Sequence, residues 1–196
     1  MDTQALVRLG YTRRDLERAV ELAGGRFEHP DDVRRVIDSF GYLDDWRANY
    51  LIRSVHASLH SDRITCIDSA ILSYGLLDLL PHVKRRLLAI HRRDQHGEEC
   101  GHCVTLWWTE NGRIGAFSKS NFVGLGHRDA TFKDEFAIAT SYAKAYIDMG
   151  FTPLYFGVTT LEDVAHGLDW RFKVGNLNEL SERLKERYQY AFILPS

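Results

Sequence analysis

Three observations predict an α+β fold. Apolar residues recur at helical spacing through the first third of the chain. Runs rich in β-branched and aromatic residues, marked by a hairpin signal, follow. Helical stretches are then inserted among those runs without the regular alternation of a βαβ protein. The expected architecture has N-terminal helices in residues 1–62 and a core in residues 63–196. In that core a buried helix packs on an antiparallel sheet, and the two parts form one compact domain.

The helical part reads in order. Thr12-x-x-Asp15 matches a capping box, and Leu16, Val20 and Ala23 follow at helical spacing until Gly24-Gly25. Pro30 suits a first helical turn, and Val33, Val36, Ile37 and Phe40 form the next stripe before Gly41. Leu43 to His60, with Trp46, Tyr50, Ile52, Val55 and Leu59, predicts a third helix. His56 and His60 lie four apart on its face; that spacing can hold a metal, but no nearby carboxylate completes a signature, and surface or packing roles are the commoner use.

The next helix is the one around which the chain is organised. Thr65-x-x-Asp68 is a second capping box, making Cys66 the first helical residue. Ile67, Ala70, Ile71, Tyr74, Leu77 and Leu80 continue at spacings of three and four until Pro81. Val83 to His91 predicts a strand, residues 92–99 a polar loop, and His102 to Trp108 a second strand. Asn111-Gly112 signals a hairpin whose return strand is Arg113 to Ser118. Residues 131–149 predict a helix, 153–158 a strand, 177–188 a charged amphipathic helix capped by Asn176 or Asn178, and 190–194 a last strand.

Composition excludes some functions. A net charge of −2 with 27% charged residues points to neither nucleic acid nor an anionic membrane, and no stretch approaches a membrane span. Met1-Asp2-Thr3-Gln4 opens a mixed polar helix instead of a secretory leader, and three cysteines are expected as free thiols in a reducing cytoplasm. A chain of 196 residues can bury enough apolar surface without a metal or disulfide, and no cofactor is expected.

The chemistry is expected at Cys66. A thiol at a helix N-terminus meets the positive end of the dipole and unpaired N–H groups, which favour the thiolate. The plainer alternative makes Cys66 a small buried apolar residue. A nucleophilic cysteine needs a base, and His102, opening the next strand beside Gly101, is the best placed. If Asn111-Gly112 is a two-residue turn, Glu110 faces Arg113 and His102 faces Asn121, whose amide oxygen would orient the imidazole. A longer turn or a bulge moves the partner toward Ser118 or Lys119; Asp129 is the nearest downstream carboxylate.

Cysteine at a helix start, histidine at a strand start and a polar orienter on the next strand resemble the transglutaminase-like branch of papain-like cysteine enzymes. Gly115-Ala116-Phe117-Ser118-Lys119-Ser120-Asn121, with Arg128-Asp129 and the helix to Tyr146, is similar to bacterial transglutaminase-like proteins. The likeness runs from about residue 35 to the end. It implies a papain-like core with Cys66 as nucleophile and His102 as base. The third member is commonly aspartate in that family, where this chain offers Asn121 or Ser118.

The reaction implied is acyl transfer or hydrolysis of an amide or ester in a peptide, protein or small molecule, through a thioacyl intermediate. A second reading keeps the fold without catalysis, as a binder of a peptide or protein. A third uses Cys100, His102 and Cys103, with Cys66, as a zinc or redox site. No second ligand pair supports the zinc site, and the Cys100-x-x-Cys103 pair leads into a strand where redox motifs lead into a helix. Trp107 and Trp108 alternate faces, so one can line a cleft while the other packs in the core. Substrate and oligomeric state are not encoded in any local pattern.

Overall fold

The computed structural model describes residues 11–44, 51–166, 170–171, 175–188 and 190–192. Thr12 caps α1 (Arg13–Leu22) through the expected reciprocal box with Asp15. His29 caps α2 (Pro30–Asp38), with the proline in the first turn. A two-residue strand, β1 (Gly41–Tyr42), pairs in parallel with β3 (Arg63–Ile64).

The helix expected over Leu43 to His60 is not continuous. Trp46 and Tyr50 lie outside the described residues. Leu51–Ile52 form β2, and only α3 (Val55–Leu59), capped by Ser54, is helical. Two distant contacts account for the change. β2 pairs with β9 (Gly175–Asn176), and the Arg53 N–H donates to the Asp68 carboxylate at 2.8 Å, so this backbone serves tertiary bonds in place of a helical ladder.

Helix α4 (Cys66–Leu77) starts where the capping box predicts. Thr65 Oγ1 accepts the Asp68 N–H, and Asp68 accepts the Thr65 N–H, both at 3.2 Å. Every residue from Ile67 to Leu77 is buried. The helix ends three residues before the apolar run does: Asp78, Leu79 and Leu80 donate to carbonyls three residues back, tightening the chain into 3₁₀-like turns. The Asp78 carboxylate is held by Arg85 at 2.6 Å and by Arg171 at 2.9 Å.

The sheet has six antiparallel strands in the order β10-β8-β4-β5-β6-β7. They are β4 (Arg85–Arg93), β5 (Glu99–Trp108), β6 (Ile114–Phe117), β7 (Arg128–Phe132), β8 (Thr152–Thr159) and β10 (Tyr190–Ala191). β7 occupies positions partly expected to be helical. It is an edge strand with one partner, β6, and its alternating exposure left little apolar signal. Helix α5 (Glu135–Asp148) then starts at its Asp134 cap. The short α6 (Leu161–Val164) was not anticipated, whereas α7 (Leu177–Lys185) was.

The sheet divides the core into two layers. On one face Leu87, Ala89, Cys103 and Trp107 pack with Ile71, Leu72 and Leu76 of α4, with Val36 and Leu59 of the N-terminal helices, and with Tyr11 just before them. On the other, Leu88, Ile90, Val104 and Leu106 pack with Ile138, Tyr142 and Tyr146 of α5. Strand alternation alone assigns these sides. Trp107 is in the core, stacked on Phe117 at 5.7 Å, and Trp108 is half-buried beneath the Lys84 ammonium.

Candidate active site

Cys66 lies at the first position of α4 and keeps part of its surface open to solvent. Its own N–H and those of Ile67 and Cys103 are directed at Sγ. The Cys103 N–H is free to do this because β6 stops at Phe117, opposite Thr105, leaving β5 without a β6 partner before that point. The Tyr42 hydroxyl lies beside the thiol, and its own pKa is pushed up by burial and by the charged form of that thiol. Burial nevertheless pushes the Cys66 thiol up, and the nearby Asp68 carboxylate adds to the rise. The expected thiolate is thus replaced by a resting thiol, because loss of solvation outweighs the N–H groups of the helix terminus.

His102 lies one residue before Cys103, whose N–H faces the sulfur, but its ring turns to the α5 face. It is buried, with ring centroids 6.0 Å from Tyr142 and 6.3 Å from Tyr146. Among the described residues no hydrogen bond joins His102 to Cys66. Burial, reinforced by the Arg92 and Arg128 guanidiniums, lowers its pKa to about 3. The imidazole is therefore neutral, with no charge to offer a thiolate at rest.

Its partner is Ser118, not Asn121. His102 Nε2 lies 2.8 Å from Ser118 Oγ, and that hydroxyl donates to the Leu125 carbonyl at 2.7 Å. With the serine proton used there, Nε2–H must be the donor to Oγ, which leaves Nδ1 as the basic nitrogen. The partner moved because the hairpin loop is one residue longer than a two-residue turn. Thr109 bonds Arg113, and Gly112 takes φ +78°, so Thr105 pairs with Phe117. Ser118 then follows on the face that carries His102, within diagonal reach.

Asn121 is exposed, its amide 3.5 Å from Asp44, and Asp129 is exposed, paired with Arg34 at 3.2 Å. A second histidine supports Ser118 instead. Its N–H donates to His127 Nδ1 at 3.1 Å, so the other ring nitrogen of His127 donates to Asp38 Oδ1 at 2.9 Å. Neither His127 nor Tyr42 belongs to a local motif; Tyr42 follows the helix-stop Gly41, and both residues reach the site from other elements.

Cys100 and Cys103, three apart on β5, alternate to opposite faces and form neither a redox pair nor, with His102, a three-ligand cluster. Arg92, nine-tenths buried, stacks on Phe151 at 3.8 Å and on Tyr146 at 4.7 Å. Among the described residues no helix is long and apolar enough to cross a membrane.

No family model and no curated protein matches the chain. Among solved structures, Legionella pneumophila LapG, in its EGTA-treated form, aligns over 94% of this chain and 95% of its own at 13% identity and a TM-score of 0.41. A second Legionella pneumophila LapG structure aligns over 94% and 93% at 12% identity and a TM-score of 0.40.

Proposed function

We propose that the protein is a cysteine-dependent hydrolase or acyltransferase acting on amide or ester bonds, with Cys66 as nucleophile and His102, hydrogen-bonded to Ser118 at rest, as base. One observation carries this reading: Cys66 Sγ faces the Cys103 N–H at the open end of β5, one residue from a histidine whose tautomer leaves Nδ1 unprotonated. In the reaction, Sγ attacks the substrate carbonyl while His102 Nδ1 takes the thiol proton, for which the ring must swing from the α5 face to the strand edge. The Cys66 and Cys103 N–H groups and the Tyr42 hydroxyl stabilise the oxyanion. His102 returns the proton to the leaving amine or alcohol. Water or a second amine then releases the acyl group and regenerates the thiol.

A second reading has its own support. The raised Cys66 thiol, the lowered His102 pKa and the orientation of its ring suit a fold that binds a peptide or protein without reacting.

Acyl trapping tests the choice. The folded protein is incubated with p-nitrophenyl esters and activated amides, then mapped by mass spectrometry. Under the catalytic reading Cys66 alone is acylated, the adduct is absent in Cys66→Ala, and its formation slows by about 10²-fold or more in His102→Ala. Equal labelling of Cys100 and Cys103, or no adduct at Cys66, would sink it and leave the binding reading.

A further inference from the structure

The two histidines singled out by their spacing acquire in the fold the carboxylate that the sequence around them lacks. His56 lies in α3 and His60 is its C-cap. Asp15 comes from α1, 41 residues before His56, and is buried. His56 Nδ1 approaches Asp15 Oδ1 at 2.8 Å, and His60 Nε2 approaches the same oxygen at 3.1 Å. All three potential donor atoms lie within 4.8 Å of one another, the one such group among the described residues.

We propose that Asp15, His56 and His60 bind a divalent zinc-like cation that staples α1 to α3. The donor set has the composition of an open zinc site: two imidazoles and one carboxylate, with solvent to complete the coordination. Metal–ligand bonds of 2.0–2.1 Å put tetrahedral donors about 3.3 Å apart, so the two imidazole–carboxylate approaches of 2.8 and 3.1 Å open by about 0.2–0.5 Å to reach that spacing. The carboxylate is already oriented for one-oxygen ligation. Its second oxygen accepts the Thr12 hydroxyl at 2.7 Å and the Thr12 N–H at 3.1 Å, the kind of outer contact that holds a ligand in place. The histidine side chains are 44% and 27% exposed, which gives a cation access from solvent and room for water ligands. On binding, each neutral imidazole carries its proton on the nitrogen facing away from the ion, so the exchange requires no other reactant.

The site is separate from Cys66, and its test does not depend on activity. Protein stripped with a chelator is titrated with ZnCl2, CoCl2 and CaCl2 in thermal melts and by absorption. Zinc at a hundredfold excess over its Kd should raise Tm by about 5–10 °C, with one ion bound per chain, and calcium should not. His56→Gln and His60→Gln, at partly exposed positions, should each abolish the shift. The cobalt form should show d–d bands without a thiolate charge-transfer band. No zinc-dependent shift, a shift that survives in both variants, or a thiolate band would overturn the proposal. If either variant does not fold, the wild-type cobalt spectrum still decides between this cluster and the cysteines.

Discussion

Burial under Tyr142 and Tyr146, with Arg92 and Arg128 nearby, makes one residue, His102, a source of acid sensitivity in this protein. The His102 pKa falls from 6.5 to about 3 on folding, so between those values the unfolded chain binds the proton and the native state does not. The His102 contribution to stability is therefore fully present above pH 6.5 and is lost as pH falls toward about 3. Each unit in that window corresponds to about 1.4 kcal/mol. Urea unfolding at pH 7 and pH 5 should show His102→Gln losing about 2 kcal/mol less than wild type over the interval. Equal losses would mean that His102 titrates normally in the folded protein. The same burial explains why His102 could be singled out in the sequence while its protonation state could not: Glu-Cys-Gly-His-Cys carries no sign of the aromatic roof supplied by α5.

Among the elements, α4 depends on close approach by its neighbours. The Tyr11 hydroxyl donates to the Gly75 carbonyl at 2.8 Å. A Cβ at Gly75 would lie 2.7 Å from that hydroxyl, 2.6 Å from Val55 Cγ2 and 3.1 Å from the Trp170 ring. Alanine would gain about 1 kcal/mol of helix propensity. Overpacking costs about 1–3 kcal/mol, and with contacts this short on two sides the crowding wins. Gly75→Ala is expected to lower Tm by a few degrees in a thermal melt, and a rise would show that α3 and Tyr11 yield freely. The helix start was legible because a capping box is local: Thr65 and Asp68 decide it within four residues. The break at residues 51–54 was not, because Leu51–Ile52 pairs with residues 175–176.

For the whole molecule, the six-stranded sheet joins two apolar layers that share β4 and β5. Residues from both sides of position 62 fill one of those layers, from Tyr11 and Val36 to Ile71 and Trp107. We therefore expect the chain to unfold as one unit. Ile71→Ala beneath α4 and Ile138→Ala beneath α5 should each cost about 2–5 kcal/mol, lowering a single transition seen alike by tryptophan fluorescence and far-ultraviolet circular dichroism. Separate transitions, each moved by one variant, would show that the layers fold independently.

The amino-acid sequence by itself determined what short-range chemistry can determine. It specified the α+β class, the helix that begins at Cys66, the strand that carries His102 and the hairpin at Asn111-Gly112. Tertiary structure decided the rest. One extra loop residue shifted the register and put Ser118 on His102 in place of Asn121; strand alternation and α5 packing turned the imidazole to its own face; burial raised the Cys66 thiol; and Asp15 joined His56 and His60. The physical reason is common to these outcomes. Capping and periodicity act within a few residues, whereas register, burial and side-chain convergence depend on residues brought together from distant parts of the chain.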